Sequence, residues 1–197
     1  YLMKLACFRH LRDLQRINSD KFDFYYDMNE VDKILKFAAI CPNVDTGEPT
    51  VLMPWQQFIF GMLFGWRDNL GLKRFTRVIL SVARGQGKTY LMAIYMVYSF
   101  LIESMGLSNQ DFLVTAENYD QTGKLYGYIT DMLKKIFDEQ PVFAKLAKED
   151  DIVIHEHTGV SMRKFNNNLR PLSFNAGKYD SYHFTTAIFD EIGNIHS

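Results

Sequence analysis

Cysteine is scarce: Cys7 and Cys41 are the only two in 197 residues, and their separation fits no metal-ligand spacing. Two isolated thiols argue against a disulfide-stapled scaffold or a zinc knuckle and suggest reduced core residues in a cytosolic protein. Long apolar runs are missing as well. The longest, Tyr90 to Ile102, is too short to cross a bilayer as a helix, and no signal peptide is visible, so no membrane partner is expected. Neither sign of charge is in excess. With a formal net charge of −1, any nucleic-acid contact must come from local basic patches. Repeats and low-complexity tracts are absent too, and a chain that is 47% hydrophobic and 15% aromatic is globular rather than disordered. Its length predicts one domain with a proper core. The chain opens on Tyr1 and stops six residues after Glu191, so the expectation is a fragment of a longer protein.

What is present alternates between helical and strand-like patterns. Leu2, Leu5, Phe8, Leu11, Leu14 and Ile17 recur every third residue and predict a helix with one apolar stripe. Asn29 and Asp32 are candidate caps for a second helix reaching about Ile40, before Pro42 and the loop to Pro49. Pro54 opens a third helix to about Trp66, at a first-turn position where its missing N–H costs nothing. A strand is expected at Val78–Val82, a helix from Lys88 to about Glu103, a strand at Phe112–Thr115 and a helix from Tyr119 to Phe137. After Pro141 the pattern predicts short strands near 151–155, 160–165 and 169–174, with a turn at Asn166-Asn167-Asn168. A last strand follows at Thr186–Phe189. The fold class expected is α/β, a P-loop NTPase sheet of the ASCE type flanked by helices. Residues 1–70 form a mostly helical segment and residues 71–197 the core.

The chemistry concentrates at two places. Ala83-Arg84-Gly85-Gln86-Gly87-Lys88-Thr89 lies between the expected strand and a long apolar helix. Glycines let a backbone curl so that its N–H groups face phosphate oxygens, and the following helix presents an N-terminus that favours an anion. Lys88 would reach the β- and γ-phosphates of ATP, and the Thr89 hydroxyl would ligate Mg²⁺. The strict pattern G-x-x-x-x-G-K-[ST] asks for glycine at position 82, where this chain has Val82; Gly85, Gly87 and the guanidinium of Arg84 remain. The second place is Asp190-Glu191, at the end of an apolar strand. Asp190 would hold Mg²⁺ and Glu191 would orient and deprotonate the attacking water. A surface Gly-Lys-Thr turn and an exposed acidic turn are the ordinary alternatives, and the two features together outweigh them.

Other features carry less. Gln56, in Trp55-Gln56-Gln57, has an amide able to pair with the edge of adenine, although such a glutamine is usually a solvated face. His155 and His157 alternate on an expected strand with no further ligand and receive no role. Phe22, Phe24, Tyr25 and Tyr26 suit a core or loop anchor better than base stacking.

In that order, Pro54-Trp55-Gln56, the Arg84–Thr89 loop and Ile188-Phe189-Asp190-Glu191 resemble the large terminase subunit of tailed double-stranded DNA bacteriophages. Phe22-Asp23-Phe24, Phe64-Gly65-Trp66, Thr115-Ala116-Glu117-Asn118 with Gln121, and Gly177-Lys178-Tyr179 match the same family's text, so the resemblance covers nearly the whole chain. That family has a deviant phosphate loop with an arginine where Arg84 stands. The resemblance implies an ATPase that drives double-stranded DNA into a procapsid. Gln56 would meet adenine; Gly85, Gln86, Gly87, Lys88 and Thr89 would bind the nucleotide; Asp190 would bind the metal and Glu191 the water. Arg84 would sense phosphate or stabilise the transition state. The implied partners are DNA, a ring of identical copies, the portal and procapsid, and the small terminase subunit, all in the bacterial host cytoplasm. Lys73, Arg74 and Arg77, or Arg163, Lys164 and Arg170, are candidate phosphate contacts, with ordinary solvated charge an equal alternative. The family's coupling motif and its RNase H-like nuclease domain are not within these 197 residues. A helicase-like ATPase and a nucleotide-binding module without turnover stand as alternatives, with a small-molecule kinase a distant third.

Overall fold

The computed structural model of the chain describes residues 2–19, 21–43, 46–49, 51–116, 119–172 and 184–190. Two units are formed, one from residues 1–39 and 51–81, the other from residues 40–50 and 82–197.

The first unit is built on three helices, α1 (Leu2–Arg16), α2 (Met28–Ile40) and α3 (Pro54–Gly65), with a short antiparallel pair, β1 (Phe24–Tyr26) and β2 (Trp66–Asp68). The cap of α2 is Asp27, not Asn29: its carboxylate accepts the Asn29 N–H at 2.8 Å, and Val31, Ile34, Phe37 and Ala38 form the buried face. Aspartate two residues upstream reaches the free amides of the first turn, which Asn29, already helical, cannot. Helix α3 starts at Pro54 as its sequence predicts. Its end packs so closely on β1 that a Cβ at Gly65 would lie 2.5 Å from the Tyr26 ring, so glycine is required there for space. Trp66 is fully buried and its indole N–H donates to His10 Nδ1 at 3.1 Å.

Helix α1 departs from expectation. Residues spaced strictly by three precess about 60° per step around a helix, because each residue turns about 100°. The six apolar positions therefore wind around the cylinder instead of forming a stripe. The buried position is Asp13, 1% exposed, with His10 and Ile17 beside it, while Met3, Leu5, Phe8, Leu11 and Leu14 face outward. Asp13 meets Arg74 at 2.9 Å, and the Arg74 guanidinium sits 4.6–5.3 Å from the rings of Phe22, Phe24, Trp66 and Phe75. The aromatic segment at Phe22 and Phe24 is thus an anchor for this buried charge.

The second unit carries a mixed five-stranded sheet in the order β4-β5-β6-β3-β7. Its strands are β3 (Asp111–Ala116), β4 (Ile152–His155), β5 (Gly159–Met162), β6 (Asn167–Pro171) and β7 (Phe184–Asp190). β3 runs parallel to both β6 and β7, and β4, β5 and β6 form an antiparallel meander. Helices α4 (Lys88–Tyr98) and α5 (Tyr119–Glu139) pack on each other and on this sheet; α5 contributes Leu125, Ile129, Met132, Leu133 and Ile136 at helical spacing. Asn167, fully buried at the start of β6, accepts the Gln110 N–H at 2.9 Å and donates to Leu107 O at 3.0 Å, which fixes the chain entering β3.

Three expectations change. The helix that starts at Lys88 ends at Tyr98 and continues as one π-helical turn, Ser99–Glu103, where the Ser99 hydroxyl donates to Glu103 at 2.7 Å. Residues after Pro141 first form a helix, α6 (Pro141–Glu149), before the short strands begin. Residues 78–82 are not a strand: no described strand pairs with them, and Val78 and Ile79 are 53% and 86% exposed. β-branched composition favours extended backbone, but a strand exists only where a neighbour accepts its hydrogen bonds. The last part of the strand expected at 169–174 lies outside the described residues.

Candidate functional site

The site begins with a backbone that only glycine tolerates. Gly85 and Gly87 have φ of 79° and 73°, the left-handed region, and an added Cβ at Gly85 would meet open space, so its constraint is conformational. Gly87 is the N-cap of α4, so the first residues of that helix, Lys88 and Thr89, present amides with no partner in the preceding turn. The Lys88 ammonium folds back across the loop and donates to Val82 O at 3.0 Å. This places a positive charge over the loop mouth, held by an acceptor weaker than a phosphate oxygen would be. Arg84 and Gln86 sit on the exposed part of the loop, Arg84 with no ion-pair partner among the described residues.

The second half of the site arrives from the sheet. β3 and β7 are parallel, and Ala116 and Asp190 are register partners at their carboxyl ends. In open α/β sheets that end is where ligands bind. Across it, the Thr89 hydroxyl lies 3.5 Å from Asp190 Oδ2. That spacing is too long for a strong hydrogen bond, but it brings together two hard oxygen donors 101 residues apart in sequence. Lys88, Thr89 and Asp190 are half-buried, which gives their charges and dipoles more reach than on an open surface.

Thr122 was not expected to contribute. Its hydroxyl accepts the Ala116 N–H at 3.0 Å and so ties the first turn of α5 to the end of β3, beside the register partner of Asp190. A threonine four residues into a helix gives little sequence signal of such a role. Next to it a cleft of about 510 Å³ runs along α5, lined by Thr122, Tyr126, Thr130, Lys134, Ile154 and Pro171 among others; it excludes Lys88, Thr89 and Asp190.

Gln56 belongs to the first unit, where its side-chain oxygen accepts the Met53 N–H at 2.9 Å and closes the start of α3. Glu191 lies outside the described residues, as do Glu117, Asn118 and Gly177-Lys178-Tyr179. Several basic candidates are engaged with carboxylates: Arg74 with Asp13, Arg170 with Asp111 at 3.3 Å, and Lys164 with Asp150 at 2.8 Å. Arg163 lies 3.8 Å from Asp151, while Arg77 is exposed and has no ion-pair partner among the described residues. No cluster able to hold a metal through His, Cys, Asp and Glu alone occurs among the described residues. Burial pushes the Cys41 thiol strongly up, so it is a protonated core group rather than a reactive one.

A family model described as terminase large subunit, ATPase domain, matches residues 54–197. Among solved structures, the crystal structure of the HK97 bacteriophage large terminase is similar, with a TM-score of 0.64 at 19% identity. The match covers 85% of this chain and 32% of that one, so this chain spans about a third of its length. At that identity the likeness shows the fold, and the expected α/β architecture, a sheet flanked by helices, is borne out. No curated protein matches the chain.

Proposed function

The chain belongs to the terminase large subunit ATPase family, and from that premise we propose that it is the nucleotide-hydrolysing part of a motor that drives double-stranded DNA into a procapsid. The observation that carries the site assignment is the meeting of Thr89 and Asp190 beside the Lys88 loop. The loop amides after Gly85 and Gly87 cradle the phosphates of ATP. Lys88 gives up Val82 O and takes the β- and γ-phosphate oxygens, so binding exchanges one hydrogen bond for a charge-assisted one. The oxygen donors of Thr89 and Asp190 suit a hard cation such as Mg²⁺. Bound there, Mg²⁺ neutralises phosphate charge.

Glu191, next to Asp190 in sequence, orients and deprotonates the attacking water. Arg84, exposed on the loop, turns toward the charge that develops on the transferred phosphoryl group, as a short-range electrostatic stabiliser. Gln56, whose amide has both donor and acceptor groups, contacts the adenine edge. By the same family reading, copies assemble as a ring around DNA, with the portal, procapsid and small terminase subunit as partners in the host cytoplasm. Arg77 is the best-placed of the basic candidates to touch phosphates, since the others are engaged with carboxylates or an aromatic ring.

The test is phosphate release from Mg·ATP with and without duplex DNA, for the parent and Glu191→Gln. Turnover stimulated by duplex in the parent, with binding kept and turnover lost in the variant, is the expected result. Equal turnover in both would remove Glu191 from its role, and parent binding with no turnover would make the chain a nucleotide-binding module.

A further inference from the structure

Helix α1 buries polar side chains and exposes apolar ones, the reverse of what a helix does when its own fold is its only partner. Met3, Leu5, Phe8, Leu11 and Leu14 are all exposed large hydrophobics, Phe8 at 65% and Leu11 at 55%. Single exposed apolar residues are ordinary, but these five step around the outer side of one short helix, about 60° or less at a time, and cover a broad arc of the kind that marks an interaction site. One border of that surface carries charge. Arg9, Arg12 and Arg16 stand at i, i+3 and i+7, hence on one side of the helix, with side chains 47–65% exposed. All three share one carboxylate, Asp13, which is buried and already paired with Arg74 at 2.9 Å. Lys4 adds a further positive charge within the apolar arc, and α1 has no exposed carboxylate to balance it.

We propose that the outer face of α1 docks an acidic amphipathic helix of a partner protein, its apolar residues on Phe8 and Leu11 and its carboxylates against Arg9, Arg12 and Arg16. Two features select this occupant. A nucleic-acid backbone would use the guanidiniums but offer nothing to five apolar side chains. A helix lying in a membrane surface carries cations along both borders of its apolar face; here the arginines line one border only, and the other, at Met3 and Leu14, abuts the side that His10 and Ile17 turn inward. A helix laid alongside needs apolar contact along its length and charge on one flank, the groove mode of helix recognition.

The probe is a synthetic, lactam-bridged helix with leucine at heptad a and d and glutamate at e and g, titrated against the full chain by fluorescence anisotropy. The expected result is micromolar binding, weakened at least tenfold by Phe8→Ser/Leu11→Ser. Arg12→Glu should weaken it similarly and gain binding to the same helix with lysine at e and g. These side chains are exposed, so circular dichroism and melting temperature should match the parent, and retained Mg·ATP binding would keep this result separate from failure of the nucleotide reading. No binding of the glutamate helix, or binding that ignores these substitutions, would overturn the proposal. So would tighter association, lost on the same substitutions, with phosphatidylglycerol vesicles, with duplex DNA or with a second copy in sedimentation.

Discussion

Lys88 is the residue on which the nucleotide reading can be tested most sharply, because its loss has two separable consequences. In this structure its ammonium makes one hydrogen bond, to Val82 O at 3.0 Å, from a half-buried position. Lys88→Ala therefore removes one neutral-acceptor contact from the fold, worth about 1 kcal/mol, which should lower the melting temperature by only a few degrees. With triphosphate bound, the same ammonium would make hydrogen bonds to charged oxygens, worth about 1.5–3 kcal/mol. With one such bond to each of the β- and γ-phosphates and about 1 kcal/mol given up at Val82, the net exchange is roughly 2–5 kcal/mol, a loss of about thirtyfold or more in affinity, since about 1.4 kcal/mol is tenfold. Calorimetric titration with Mg²⁺ and a slowly hydrolysed ATP analogue, on parent and variant, reads this directly. A parent that binds and a folded Lys88→Ala that binds within threefold of it would refute the phosphate-loop assignment. Equal losses of folding stability and affinity would refute the separation on which the estimate rests.

Asp190→Asn should leave analogue binding without metal unchanged and weaken its Mg²⁺ dependence about tenfold or more, seen as a shifted Mg²⁺ titration at fixed analogue. Gly65→Ala should destabilise by about 1–3 kcal/mol in denaturant unfolding, because its Cβ would fall 2.5 Å from the Tyr26 ring and 2.8 Å from Val31. Gly127→Ala on α5, where a Cβ meets nothing within 4 Å, should instead stabilise by up to about 1 kcal/mol. For His10, burial lowers the pKa from its ordinary 6.5, with Asp13 opposing. The unfolded chain then binds the proton more readily than the folded one, so stability should decline as pH falls through about 6.5 toward the lowered value. Protonation would also take the Nδ1 lone pair that accepts the Trp66 N–H. Melting temperature measured from pH 7.5 to 5 should fall in the parent, and the slope should flatten in His10→Gln.

The sequence showed the elements whose cause is local. Pro54 at the first turn of α3 and the apolar spacing of α5 are where their residues put them, whereas the turn expected at Asn166-Asn167-Asn168 falls at residues 163–166 and β6 has already begun at Asn167. The glycine loop ahead of α4 was legible for the same reason: left-handed glycines beside a helix start leave a compact signature. Features set by distant partners were hidden. A β-branched run at 78–82 predicts a strand only if something pairs with it, and nothing described does. The inversion of α1 depends on Arg74, which stands 61 residues beyond Asp13 and draws that carboxylate inward. The nearness of Thr89 to Asp190 was an expectation from chemistry, but Thr122 beneath it was invisible, since a threonine that accepts an N–H from a strand end resembles any other helical threonine.

The margin of β7 has a practical bearing on all these experiments. β7 is the last strand in the described sheet order, and Phe189 on it is 47% exposed. Such an edge is a template for strand addition between molecules. An open margin there would make the chain lose monomer steeply with concentration. A single lysine at the exposed Ala187 should extend the usable concentration range, as measured by light scattering, with no change in melting temperature.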